Sequence, residues 1–332
     1  MADKVRFGIV GLGMGYSRAK LIPNTAGAEL ACVCSLDAEK AQQVAKELNC
    51  DWTTNYLEML MRKDIDVIGV MTPSGMHCDH AIMALESGHH CYTTKPMDIM
   101  VAKCDAAIAT AKRTGKILGV DFGNRFLPIN HQVRAALQGG KLGRLICCDL
   151  IMKWYRDMSY YGGGSPTAWR SRLVTERGSI ANQGVHYVDL LQWFMGPVKS
   201  VWGRSGTFNH DIETEDQTMA IIEFESGAWG MFHTTTCSTP NLGTKLEFNG
   251  SEGALLWGDR EISLFHSNVD PDLKIESIPV DPNLPASIFA DMVGAVRDGK
   301  PLQCDGHEGR KSVAIIEAIY KSSATGKPVM MS

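Results

Sequence analysis

At 332 residues, with 44% hydrophobic and 21% charged side chains, the chain is long enough for two cores and has the make-up of an ordinary globular protein. Its formal net charge of −4 offers none of the concentrated basic charge that a nucleic acid or an anionic membrane surface attracts. No run approaches the ~18 apolar residues of a membrane span, so neither a nucleic-acid nor a membrane partner is expected.

Val5–Val10 reads as the first strand, so close to Met1 that a secretory signal peptide has no room before it. The strand enters the turn Gly11-Leu12-Gly13-Met14-Gly15. Strand Glu29–Cys34 precedes a helix with Ala41, Val44, Ala45 and Leu48 at i, i+3, i+4 and i+7. Cys78, Ala81, Ile82 and Leu85 repeat that spacing, as do Cys104, Ala107, Ile108 and Ala111, and Asn49, Gly88 and Gly115 supply helix stops. Between these helices, Asp66–Pro96 holds a buried strand (Val67–Met71), a Thr72-Pro73 stop, a helix, a second short strand and a Lys95-Pro96 end. Lys95 therefore falls just past the carboxyl end of a strand, where open α/β sheets place their ligands. The alternation predicts a doubly wound, Rossmann-type parallel sheet over residues 1–123.

After strand Lys116–Phe122 the character changes. Pro128 opens a helix that ends at Gly139-Gly140, and another helix spans Ser179–Met195. Strands then follow one another through turns such as Ser226-Gly227 and Asn249-Gly250, from Val198–Phe208 to Ile262–Phe265. Helices Ala286–Asp298 and His307–Ala324 close the chain. Residues 124–332 are thus expected to form an α+β domain with a large, mainly antiparallel open sheet, an α/β fold class overall. The ten cysteines form no C-x-x-C pair and sit mostly in predicted strands and on apolar helix faces. They read as buried reduced thiols in a reducing, cytoplasmic compartment rather than as metal ligands. His89 and His90 are adjacent, so they alternate faces in a strand, and no metal site is expected there.

Gly11-x-Gly13 after a strand is half of a dinucleotide fingerprint. The first glycine allows the turn and the second lets a pyrophosphate approach backbone N–H groups. Tyr16 occupies the third position, so the match is incomplete, and a tight turn with no ligand is the competing reading. The place at which NAD proteins usually carry a ribose-binding acid is Ser35, with Asp37 two residues on and Lys40 five on. Lys40 could pair with the 2′-phosphate of NADP, which favours NADP slightly; alternatively Lys40 only solvates its helix and Asp37 serves NAD. Asn182, His186 and Asp189 lie at i, i+4 and i+7, with Trp193 continuing the row. A lone helical histidine is more often structural, but an amide and a carboxylate on its face suit a general base. Arg156, Tyr160, Tyr161, Trp169, Arg170 and Arg172 crowd the preceding segment beside Gly162–Gly164. Such a loop could hold a polar substrate, arginine taking a carboxylate or phosphate and aromatic faces taking a sugar ring; an ordinary surface loop with salt links is the alternative.

These motifs resemble the Gfo/Idh/MocA oxidoreductases nearly end to end. The resemblance runs through GIVGLGMG (8–15), TPSGMH (72–77), TKP (94–96), NRF (124–126), WYR (154–156), AWR (168–170), NQGVHYVDLLQW (182–193), FESGAWG (224–230) and EGRKSVAIIEAIYKSSATGKPV (308–329). It implies a Rossmann domain followed by an α/β domain whose open sheet commonly makes the dimer contact, and so a homodimer or homotetramer. It implies NAD(P) as cofactor, with Gly11, Gly13, Met14, Ser35, Lys40, Thr72, Pro73, Ser74, His77, Thr94, Lys95 and Arg125 around it. Lys95 and His186 are implied as acid/base groups aided by Asn182, with Arg156, Tyr160, Trp169, Arg170 and Asn182 towards a sugar, cyclitol or nucleotide-sugar substrate. Three positions depart from the family pattern: Thr94, Asn182 and Ser35 each stand where it carries an acid. Relatives that act as glycosidases through transient oxidation by NAD, or as catalytically silent nucleotide sensors, are the rival expectations.

Overall fold

A computed structural model describes residues 4–162, 168–258 and 260–331. The chain forms two compact units, one of Met1–Phe126 with Pro285–Arg310 and the other of Leu127–Leu284 with Lys311–Ser332.

The first unit is built on a six-stranded sheet of order β3-β2-β1-β4-β5-β6: β1 Val5–Val10, β2 Ala28–Cys34, β3 Asp51–Thr53, β4 Val67–Val70, β5 His90–Thr94 and β6 Leu118–Asp121. Every pair is parallel. The strands read as near-continuous apolar runs because helices cover both faces. The order reverses between β1 and β4, and this switch point is where doubly wound sheets bind ligands. The β3 strand has no apolar signature, with Asp51 and Trp52 both exposed, and pairing with β2 alone makes it a strand.

Helix Ile288–Asp298, expected in the second stretch of the sequence, belongs to the first unit. Phe289 stands edge-on to Phe7 at 5.7 Å and to Tyr92 at 5.8 Å, in one core with Met292 and Val293. Its spacing shows an apolar face but not which sheet that face meets.

The second unit carries an eight-stranded sheet, β13-β12-β11-β7-β10-β9-β8-β14. Its strands are β7 Leu145–Lys153, β8 Val198–Gly206, β9 Gln217–Phe224, β10 Trp229–Thr235, β11 Gly243–Gly250, β12 Gly253–Gly258, β13 Glu261–Ser267 and β14 Val329–Met330. Only β7 and β10 run parallel; the remaining pairs are antiparallel. One face is packed under helix Val185–Met195, with Phe194 against Phe248 at 5.8 Å and Tyr187 against Trp257 at 5.9 Å. The alternation leaves Trp202, Met219, Ile221, Trp229 and Met231 exposed, on the opposite pleat from buried Val201, Ala220, Ile222 and Phe232.

Candidate functional site

In the first unit the predicted residues gather at the carboxyl edge of the parallel sheet. Gly11 leaves β1 with φ +91°, and a Cβ there would come 2.5 Å from the Met71 carbonyl oxygen, so this turn needs glycine. At Gly13 a Cβ would meet nothing within 4 Å, so open space lies over the backbone there. Met14 is exposed beside it. At the end of β2 the Ser35 hydroxyl accepts the Asp37 N–H at 3.2 Å. Asp37 in turn caps helix Ala38–Leu48 by accepting the Lys40 N–H at 3.0 Å. That acid is already committed to its own helix.

His77 braces two strand ends. Its Nδ1 lies 2.7 Å from the Pro96 carbonyl and its Nε2 2.7 Å from the Thr72 carbonyl, in a buried setting that pushes its pKa down to about 4. Both ring nitrogens thus face backbone carbonyls that flank Thr72-Pro73 and Lys95-Pro96, and the neutral ring donates to one of them. Thr72 Oγ1 meets His80 Nδ1 at 3.1 Å, and Lys103 Nζ donates to Gly75 O at 2.7 Å, fixing the turn that holds buried Ser74.

Thr94 ends β5 and pairs with Asp121 at the end of β6. Asp121 is buried, with Arg18 Nη2 2.8 Å from its Oδ2. Burial raises the Asp121 pKa, while the charges of Arg18 and Lys95 pull it back. Lys95 therefore lies within electrostatic reach of a buried carboxyl that the sequence reading did not single out. The available signal was its place as the last residue of a strand ending on the same edge. Arg125 is buried to 1% exposure, its Nη1 donating to Glu308 Oε2 at 2.9 Å and to Gln303 O at 3.3 Å. Its charge is matched inside the unit.

In the second unit the expected straight helix from Ser179 differs in its first turn. Ile180–Gly184 is a π-turn and the α-helix begins at Val185. The cause lies beneath it: Glu215, buried, accepts the Ile180 N–H at 2.8 Å and the Ser179 hydroxyl at 2.7 Å, and Tyr320 OH donates to it at 3.2 Å. A Cβ at Gly178 would drive into the Glu215 carbonyl, so glycine lets the chain pass. Burial pushes the Glu215 carboxyl up to about 7, and its donors oppose that shift.

The π-turn presents Asn182, which is half-buried, and the next helical turn presents half-buried His186; Asp189 and Trp193 further along the row are buried. Asn182 is held from two sides. Its Nδ2 donates to Glu176 Oε2 at 2.6 Å, and its Oδ1 accepts from Tyr160 OH at 3.2 Å. Tyr160 OH also accepts from Gln183 Nε2 at 2.8 Å. Glu176 is fully buried and went unnoticed in the sequence, because neither its spacing to Asn182 nor its setting has a periodic signature. Arg170 stacks over Tyr160 at 4.7 Å and over Trp169 at 4.3 Å; Arg156 stacks over Tyr160 at 5.4 Å and over Trp154 at 4.9 Å. Gly163 and Gly164, expected in the same loop, lie outside the described residues.

Family models match both units: one described as an oxidoreductase family with an NAD-binding Rossmann fold covers residues 5–122, and one described as a GFO/IDH/MocA C-terminal domain covers residues 130–256. The chain belongs to the Gfo/Idh/MocA oxidoreductases. Among Gfo/Idh/MocA relatives, the scyllo-inositol 2-dehydrogenase (NAD(+)) of Bacillus subtilis is 29% identical over 266 residues, covering 78% of this chain and 75% of its own. The D-glucoside 3-dehydrogenase of Escherichia coli is 26% identical, covering 91% and 90%. The WlbA dehydrogenase of Bordetella pertussis, solved with NADH and UDP-GlcNAcA, superposes with a TM-score of 0.90 at 27% identity over 99% of each chain. The left-handed Gly11 and the open space over Gly13 fit the dinucleotide of such a family.

The three positions at which the resemblance implies an acid have different structural settings. Ser35 leaves the end of β2 without an acid. Thr94 places a neutral side chain opposite buried Asp121. Asn182, where the resemblance implies an acid, hydrogen-bonds to one, Glu176. His210, Asp216 and Cys237 also converge, within 4.8 Å, as a group that could hold a metal. Asp216 there accepts the N–H groups of Phe208, Asn209 and His210 and stands 3.0 Å from His210 Nδ1. His210 Nε2 meets the Arg156 carbonyl at 2.7 Å. These groups satisfy one another, and the result is a brace for the Arg156 backbone.

Proposed function

We propose that the chain transfers hydride between NAD(P) and a secondary hydroxyl of a sugar, cyclitol or sugar derivative, nucleotide sugars included. The observation that carries the reading is a half-exposed His186 one turn from an Asn182 fixed on both sides, in a chain whose Lys95 sits at the carboxyl edge of a cofactor-type sheet. In this reading bound nicotinamide supplies the hydride acceptor. His186 takes the hydroxyl proton, and Lys95 holds the oxygen from which it leaves. Asn182, unable to titrate, orients the hydroxyl by hydrogen bonding. Gly11, Gly13, Met14, Thr72, Pro73, Ser74 and Thr94 line the cofactor, with His77 and Arg125 as braces behind them.

The deciding test follows nicotinamide absorbance over a panel of aldoses, uronates, inositols and nucleotide sugars. Lys95→Met should abolish turnover and keep cofactor binding; full turnover in that variant would sink the assignment.

Three finer points belong to this reading. Because Ser35 does not repel a 2′-phosphate and Lys40 lies nearby, NADP should be used at least as well as NAD. Lys40→Ala should then lower kcat/KM for NADP alone, and equal loss with both cofactors would refute the point. The exposed stripe of Trp202, Met219, Ile221, Trp229 and Met231 is larger than isolated surface apolar residues would give and suits a second copy, so a homodimer or homotetramer is expected. A monomer by light scattering at micromolar concentration would overturn that. Ten free thiols suit the reducing cytoplasm, to be checked by fractionating cells that express the chain.

A further inference from the structure

Arg156 and Arg170 converge on one ring, that of Tyr160, and each is backed by a second aromatic. Among the described residues no carboxylate stands within ion-pair distance of either guanidinium. Arg156 Nη1 donates to the neighbouring Tyr155 carbonyl at 2.9 Å, and Arg170 Nε is buried without a hydrogen-bond partner. Residues 163–167, Gly-Gly-Ser-Pro-Thr, contain no acid to neutralise them. Of the buried carboxylates of this neighbourhood, Glu176 is engaged by the Asn182 amide and by the Arg177 N–H at 3.0 Å, and Asp216 by His210 and three backbone N–H groups. Elsewhere in the chain, half-buried arginines such as Arg6 and Arg62 do carry acidic partners.

A planar guanidinium fork matches a carboxylate or phosphate bidentately, and stacking on aromatic faces holds the fork in place beforehand. Two such cations without a protein counter-ion make a site for an anion. Their shared ring carries the hydroxyl that fixes Asn182, four residues before His186, so the anion clamp and the proposed reacting group belong to one hydrogen-bonded framework. We propose that the substrate is an anionic sugar, and that Arg156 and Arg170 clamp its oxyanion and thereby select which hydroxyl reaches His186. This rests on the dehydrogenase reading for the reaction, but the binding itself does not. The oxyanion could be the carboxylate of a uronate or the phosphate of a phosphorylated or nucleotide sugar; the shared chemistry is a multidentate anion next to a polyol ring.

The test titrates NADH-loaded enzyme by calorimetry with D-glucose, D-glucuronate, D-glucose 6-phosphate, UDP-glucose and UDP-glucuronate, alongside turnover on the same compounds with NAD and NADP. At least one anion should bind ten- to a hundredfold more tightly than D-glucose. Arg170→Gln and Arg156→Gln should each remove most of that preference, and Arg170→Lys, which keeps the charge but loses the fork, should restore it only in part. NADH affinity in every variant serves as the folding control. Tight glucuronate binding names the carboxylate as the anion, whereas tight glucose 6-phosphate or UDP-glucose binding names the phosphate. If D-glucose binds as well as every anion, or if the arginine variants keep the anion preference, the clamp is refuted while the dehydrogenase reading stands. Arginine-dependent anion binding with no turnover on any compound would support the clamp and count against the dehydrogenase.

Discussion

The carboxyl edge of the parallel sheet and the start of helix Val185–Met195 are assembled in opposite ways. At the first, backbone does the positioning: a left-handed Gly11, strand ends in register, and His77 bound to two carbonyls. At the second, side chains hold side chains: Glu176 holds Asn182, Tyr160, itself held by Gln183, holds its other end, and Glu215 shapes the π-turn beneath. A backbone-built site is indifferent to most side chains and suits a constant ligand such as a dinucleotide. One built from side chains changes with each substitution, which fits relatives of one fold named for inositol and for glucosides. Site-directed variants can break or sharpen this contrast.

The largest effect is expected at His186. His186→Ala should lower kcat by about two to four orders of magnitude, the usual weight of a general acid or base, with cofactor affinity kept. A tenfold loss or less, read from steady-state kinetics, would make His186 a structural residue. In the first unit, Glu308→Ala removes a carboxylate partner of buried Arg125. Breaking a buried pair costs about 3–5 kcal/mol, and Glu308 is itself 30% exposed, so a loss near the lower end should appear in denaturant unfolding. An unchanged midpoint would mean that solvent already screens the pair.

Glu176→Gln comes next. It replaces a charged acceptor by a neutral amide facing the Asn182 Nδ2 group. A hydrogen bond to a charged group is worth about 1.5–3 kcal/mol, so kcat should fall roughly tenfold or somewhat more while NADH affinity stays. Loss of stability with kcat intact would show that Glu176 serves folding alone.

The smallest effect concerns pH. Glu215 has a pKa raised by burial from its ordinary 4.5 to about 7, so the folded chain binds this proton more tightly than the unfolded one. Its contribution to stability is full below about 4.5 and is lost as pH rises towards about 7. Thermal melts of the wild type and Glu215→Gln should therefore move apart over that window, the wild type losing ground as pH rises. Parallel melting curves would refute the shift.

Much of this was legible in the chain. Apolar runs and i, i+3, i+4, i+7 spacings report burial directly, which is why Val5–Val10, all but the last residue of Val67–Met71 and the helix faces of Ala41 and Cys104 could be read off. Gly11 and the position of Lys95 at a strand end follow from local stereochemistry and the βα rhythm. Strand β3, the Phe289 helix and the π-turn were not legible, because each depends on a partner remote in sequence: β2, the first sheet and Glu215.

The sequence by itself determined the fold class, the edge on which a dinucleotide-type turn opens, and the residue types available for proton transfer, since periodicity and turn chemistry are local. Tertiary structure alone decided that Glu176 backs Asn182, that Asp121 lies buried within reach of the Lys95 charge, and that two arginines share one tyrosine ring with no acid paired to them among the described residues. Those facts arise from side chains brought together by packing, where distance and desolvation set the chemistry and order along the chain does not.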